Sequence, residues 1–209
     1  MSLRSWIRRR VERVRAWIQR IRAPDPLERQ VAVHEAGHVL AAWLLPSFIR
    51  IKEVTVLPMG DFRGYTLTTH ALSDPPKLEE IVHLMTMSMA GAAAERLVIG
   101  SSDAGSGDDM IHALAWWLFH RYGMSIQAAA GISAALVRGQ LSGDPLRRTR
   151  FRLFAIPPLA FAAAQAVELL RPRIKQLMKL ADALRRRKAL RHEDIAKILG
   201  PRPAQNQAF

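Results

Sequence analysis

His34-Glu35-Ala36-Gly37-His38 lies inside an apolar run, with Val31-Ala32-Val33 before it and Val39-Leu40-Ala41-Ala42-Trp43-Leu44-Leu45 after it. The run is helix-compatible, and on an α-helix positions i and i+4 share one face, so both imidazoles can reach one ion. Zinc accepts neutral imidazole readily, and a catalytic zinc site keeps one coordination position for water. Glu35, one residue along from His34, is placed to take a proton from that water as it attacks a carbonyl. The plainer alternative is a buried helix carrying two satisfied core histidines. A chance match to the three specified positions is expected in well under about one in twenty chains of this length, so the metal reading leads.

The helix around the motif has readable ends. Asp25 is its N-cap, Pro26 sits in the first turn, Glu28 completes a capping box, and Pro46 stops it. Residues 51–57 read as a strand, turned by Pro58-Met59-Gly60, with residues 64–69 as its partner strand. Asp74-Pro75-Pro76 opens a second long helix through Ile81, Leu84, Met85 and Met89 to about Val98. Within it, Met89-Ala90-Gly91-Ala92-Ala93-Ala94 has little side-chain bulk beyond the methionine, which lets another helix come close, and the methionines fill core. A polar, glycine-rich loop at 100–107 leads to Asp108-Asp109 and a helix that Gly123 ends after Tyr122. Beyond a loop at 139–145 the chain reads as helical until Gly200-Pro201. The expected fold is mainly α with a small β-hairpin or sheet. Its parts are a basic amphipathic helix at 1–24, the domain proper at 25–200, and a disordered tail at 201–209.

Composition narrows the function classes. A chain of 209 residues with 49% hydrophobic content can bury one good core. It has no cysteine, which excludes a disulfide framework and thiolate ligands, so any metal must use His, Asp or Glu. No apolar run reaches the roughly 18–20 residues that a membrane span needs. The Arg-rich start does not read as a secretory signal, and the expected address is cytoplasmic.

The net charge of +13 is uneven. Residues 1–22 hold eight Arg against Glu12, a net of +7, and residues 146–209 hold fifteen basic against four acidic residues, a net of +11. The segment between, 23–145, carries −5. Trp6, Ile7, Val11, Val14, Trp17, Ile18 and Ile21 make one face of the first helix. That helix suits an anionic membrane surface, an acidic partner groove, or packing on this protein or a neighbouring subunit. Nothing resembles a base-reading motif, and nucleic acid is not an expected partner.

Two histidines and a water leave a third protein ligand to find. A third His six residues after His38 would mark the metzincin layout, but that position is Leu44. Glu79, Glu80 and Glu95 on the next helix are available, as are Asp108 and Asp109 at a helix start, where Asp also serves as a cap. The residues alone leave these alternatives open.

Taken together the motifs resemble the peptidase domain of the FtsH-type, membrane-associated AAA+ zinc proteases. His34-Glu35-Ala36-Gly37-His38 is followed in order by Val54-Thr55-Val56-Leu57-Pro58-Met59-Gly60 and Gly64-Tyr65-Thr66, similar to that family's strand and turn. Met89 to Glu95 is similar to its small-residue helix. Gly105-Ser106-Gly107-Asp108-Asp109-Met110 is similar to its Asp-bearing loop, and Tyr122-Gly123-Met124-Ser125 closes the next helix. The similarity spans roughly residues 27–199. It implies His34, His38 and Asp109 as ligands of one Zn2+ per chain, with Asp108 the neighbouring alternative and Ala113 fitting the pattern, and Glu35 as the catalytic base.

The family's ATPase module has phosphate-binding glycines and a Lys, and no G-x-x-x-x-G-K followed by Ser or Thr occurs here. The expectation is therefore a peptidase module acting without its own motor on flexible or unfolded proteins. A partner ATPase or peripheral contact at the inner membrane face, through residues 1–22, would fit beside it. A homo-oligomer, as in the family's hexameric rings, is implied as well. Residues 54–56, or the strand near Gly64, could take substrate backbone as an added strand. The competing readings are a catalytically silent adaptor with the same fold, which the intact Glu35 argues against, and a basic surface-binding protein.

Overall fold

A computed structural model describes residues 25–60, 63–102, 106–140 and 156–203. The basic helix expected at 1–24 lies outside them, as do residues 204–209 of the expected tail. Helix α1 (Pro26–Leu44) carries the motif, and Asp25 caps it by accepting from Leu27 N at 3.0 Å. Glu28 departs from the expected capping box. Its Oε1 instead takes Lys188 Nζ at 2.7 Å, a charged donor delivered from the far end of the chain. From Ala32 to Trp43 every residue of α1 is buried, so the helix is enclosed on all sides rather than amphipathic.

Strand β1 (Phe48–Thr55) begins three residues before the strand read from the sequence. Irregularities between Phe48 and Arg50 and between Ile51 and Glu53 bring Phe48, Ile51 and Val54 all to the buried side. That spacing of three hides the strand from an alternation pattern. Strand β2 (Tyr65–His70) pairs antiparallel with β1, setting Thr66 opposite Val54. The far side of β1 pairs with a third strand, β3 (Ala189–Arg191), where the sequence reads as helical. Only Leu190 of β3 is buried, too little signal in three residues to be seen. The order β2-β1-β3 corrects one expectation: Val54 is paired on both sides, with Thr66 and Leu190, and cannot receive an added strand. Among the described residues, the outer edge of β2 remains open.

Helix α2 (Leu78–Val98) starts four residues after Asp74. Its opening is organised by Glu80, which accepts from Lys77 N at 2.7 Å and Ser73 Oγ at 2.6 Å, rather than by the Asp-Pro-Pro turn. It is followed by α3 (Ser106–Tyr122), α4 (Ile126–Gln140), α5 (Ile156–Leu170), a 3-10 turn (Arg171–Arg173), α6 (Ile174–Arg187) and, after β3, α7 (His192–Leu199). Helix α1 packs between α2 and α6, while α2 also packs on α3 and α5. The mainly α fold with a small antiparallel sheet matches the reading from the sequence. No described helix is long and apolar enough to cross a membrane.

The small-residue stretch of α2 is where α1 comes closest. A Cβ on Gly37 would lie 2.4 Å from Ala90 O and 2.7 Å from the Ala94 Cβ. Because the obstacle is backbone, Gly37→Ala must push the helices apart. We expect a loss of about 1–3 kcal/mol, measured as a lower midpoint of thermal or urea unfolding.

The other end of α1 is closed from far along the chain. Arg202 donates to Trp43 O (3.1 Å), Ala42 O (2.8 Å) and Ile49 O (2.8 Å), and its guanidinium sits 5.5 Å above the Trp43 ring. The last turn of α1 has no basic residue of its own, so Arg202 supplies both donors for orphan carbonyls and positive charge at the negative helix end. Within the tail expected at 201–209, the described part is therefore anchored to α1.

Candidate active site

His34 and His38 leave α1 on the face toward α2, and their Nε2 atoms lie 3.0 Å apart. Asp109, in the first turn of α3, closes the group, with Oδ2 3.2 Å from His34 Nε2 and Oδ1 3.4 Å from His38 Nε2. Asp108, its neighbour, is exposed and lines the mouth of the cleft. Of the glutamates available as ligands, Glu79 and Glu80 stand away at the start of α2. Glu95 is fully buried and reaches the other side of the His34 ring.

The outward-facing ring nitrogens fix the chemistry of the inward ones. His38 Nδ1 lies 2.8 Å from Met87 O, and a carbonyl can only accept, so Nδ1 carries the hydrogen. His34 Nδ1 donates to Glu95 Oε1 at 2.6 Å, and Glu95 Oε2 accepts from Gln30 Nε2 at 2.7 Å. With both Nδ1 atoms protonated, two Nε2 lone pairs and a carboxylate face one another. Asp109 Oδ2 is buried there without a hydrogen bond. Acceptors converging on one point require a cation between them, and two imidazoles with a carboxylate are a donor set that zinc takes. The group passes the test of fit: His34, His38 and Asp109 could hold a metal ion.

Electrostatics follow the same geometry. Burial would lower the His34 pKa, but Asp109 and Glu95 override it and raise it to about 10. His38 is also raised, burial again being outweighed by Asp109. Burial would raise Asp109, yet His38 and His34 hold it far below the usual carboxylate range. Without a metal, protons serve as the cation in this group, so metal binding must release them. Burial raises Glu35, against the opposing pull of His38, His34 and a hydrogen bond from Thr66 Oγ1 to Oε2 at 2.7 Å.

Gln30, Thr66 and Met87 O have no role legible in the sequence. Glu95 was considered as a ligand, and the structure makes it a partner of His34 Nδ1 instead. No sequence pattern marks a main-chain carbonyl as an acceptor, and Thr66 is an ordinary strand residue until β2 is placed over Glu35. Glu95→Gln replaces the charged acceptor of His34 Nδ1 with a neutral amide. We expect metal affinity to fall by about 10- to 100-fold with the fold retained, measured by competition with a zinc chelator.

Glu35 and the cluster open into a cleft of about 500 Å³ walled by α1, β2, α2 and α3. Comparison with known proteins fits this arrangement. The sequence model of Peptidase family M41 matches residues 24–138, more than half of the chain and a span that includes His34, Glu35, His38 and Asp109. The ATP-dependent zinc metalloprotease FtsH 1 of Symbiobacterium thermophilum is 34% identical over 196 residues, covering 90% of this chain and 31% of its own length. The FtsH 1 of Thermoanaerobacter sp. (strain X514) is 28% identical over 198 residues, covering 87% of this chain and 32% of its own length. The FtsH 3 of Sorangium cellulosum is 30% identical over 187 residues, covering 85% and 30%. The chain thus spans about a third of the length of these curated relatives. On the family match and these relatives, the chain is an FtsH-type zinc peptidase domain and belongs to peptidase family M41.

Proposed function

We propose that this protein is a zinc-dependent endopeptidase that hydrolyses peptide bonds in flexible or unfolded chains. One observation carries the reading: two buried imidazoles and the half-buried Asp109 carboxylate converge on a point beside the buried Glu35, in a cleft bordered by an open strand edge. His34, His38 and Asp109 hold the zinc. When bound, the metal supplies a Lewis acid that activates water and polarises the scissile carbonyl.

Glu35 removes a proton from the attacking water and returns it to the leaving amine, so that water is added across the C–N bond. Burial strengthens it as a base for this task. Thr66 holds Oε2, leaving Oε1 to face the water. The backbone of an extended substrate pairs with the outer edge of β2. A folded substrate has few free strands to offer, which is why we assign flexible chains.

Residues 1–209 contain no nucleotide-binding G-x-x-x-x-G-K sequence, so cleavage by these residues needs no ATP. A homo-oligomer, and a peripheral position at a membrane through the basic ends, belong to the same proposal. The test is metal analysis together with degradation of an unfolded protein. We expect about one zinc per chain, cleavage abolished by chelator, and recovery on adding zinc. Absence of zinc, or zinc without cleavage, overturns the reading, and the second outcome favours a silent adaptor.

A further inference from the structure

One wall of the cleft is a stripe of α1. Leu27, Val31, His34 and His38 line it at successive turns, and His38 stands about 17 Å along the axis from Leu27 at 1.5 Å per residue. The chain that precedes Asp25 therefore joins the fold at one end of the cleft. The end of β1 is drawn to the same place by Lys188. Its Nζ donates to Glu28 Oε1 at 2.7 Å, and its O accepts from Val56 N at 2.9 Å and Thr55 Oγ1 at 3.0 Å. The approach to β2 comes in as well, since a Cβ on Gly64 would lie 2.7 Å from Thr55 O and 2.9 Å from Val31 Cγ1.

Large apolar side chains stand in water around this entrance. Leu27 is 43% exposed, and Leu57 and Met59, in the connection from β1 to β2, are 52% and 57% exposed. Scattered singly such residues are ordinary, but gathered at the mouth of a cleft they mark a surface that a partner covers. The charge beside them is negative. With a divalent ion in place and the histidines neutral, Glu35, Glu95, Asp108 and Asp109 still outweigh that ion and Arg63, among the described residues lining the cleft. Asp108 is exposed at the mouth.

Residues 1–24 lead directly into this entrance, and their sequence is its complement. Residues 1–22 carry a net charge of +7, and Ile7, Val14, Trp17 and Ile21 are spaced for one apolar helical face. A helix over 3–22 would be about 30 Å long, enough to cross the cleft.

We propose that residues 1–24 dock over the mouth of the cleft, with the apolar face on Leu27, Leu57 and Met59 and the arginines toward Asp108, so that the protein occludes its own active site. The proposal rests on the peptidase reading above. A substrate strand reaches the edge of β2 only after the segment leaves. One apolar face cannot be held by the cleft and by a bilayer at once, so those two placements compete. Tethering makes a weak contact sufficient. At an effective concentration of about 1 mM, a segment that binds with a Kd of about 100 μM leaves about one cleft in ten open.

The experiment compares full-length chains in the hydrolysis of a short fluorogenic peptide. We expect Trp17→Asp, which puts a charge on the docking face, to raise the rate about tenfold. Met59→Asp, on the receiving surface, should do the same, and because Met59 is exposed its replacement leaves the core in place. A readout without turnover is the Kd of a labelled peptide of residues 1–24 for the protein carrying Glu35→Gln and Trp17→Asp. We expect binding near about 100 μM at low salt, weakened severalfold by Met59→Asp and by about 0.5 M salt.

Unchanged rates in both variants overturn the docking and leave the peptidase reading standing. So does a labelled peptide that binds anionic vesicles but not the protein, which assigns the segment to a membrane surface. Binding as expected, by chains that all fail to cleave, overturns the peptidase reading and leaves the docking surface.

Discussion

Glu35→Gln is expected to lower peptide hydrolysis by at least about 1,000-fold while zinc content and fold are kept. The amide matches the carboxylate in shape, and its oxygen can still accept from Thr66 Oγ1, which holds Oε2 at 2.7 Å in the native chain. None of the groups proposed to hold the metal is altered. Glu35 is 5% exposed and its pKa is raised by burial, so replacing it removes an acid whose charged form is costly inside the protein. The unfolding midpoint should stay level or rise. Activity, zinc content and melting measured on one preparation check the result, and a variant within tenfold of wild type would remove Glu35 from the role of base.

Gly91→Ala is expected to abolish zinc binding without touching a proposed ligand. The added Cβ would stand 2.5 Å from His34 Nε2 and 2.6 Å from His38 Nε2, where the metal is proposed to sit. The rings cannot step aside, because Glu95 and Met87 O hold their Nδ1 atoms. Alanine is the better helix former by about 1 kcal/mol, so α2 itself is not weakened. We expect zinc affinity to fall at least about 100-fold with helical content unchanged, measured by chelator competition and circular dichroism. Zinc bound at wild-type affinity would show that the metal does not sit among these three groups.

These two residues also show what can be read before a structure exists. Glu35 is legible because its chemistry is tied to neighbours in sequence: one helix carries both histidines and the acid, so spacing suffices. Gly91 reads in sequence only as part of a small-residue stretch. Its closeness to the imidazoles depends on the crossing point of α1 and α2, which no local pattern fixes. Asp109 lies between, since residue type and a family resemblance separate it from Asp108 where periodicity cannot.

The same division runs through the fold. Helix α1 announces its start through Asp25 and Pro26, which act on the adjacent backbone. Strand β3 and the partnership of Glu28 with Lys188 could not be read, because each is decided by residues more than a hundred positions apart.

Separation along the chain has a consequence for how the protein comes into being. Arg202 secures carbonyls 159 and 160 positions earlier, and β3 steadies the strand pair that sets Thr66 against Glu35. A growing polypeptide can hold every group proposed for catalysis by the time Asp109 has been made. It cannot yet hold them still, because the parts that clamp α1 and β1 are synthesised afterward. Such late-arriving contacts, costly in loop closure, place completion of the site near the end of folding.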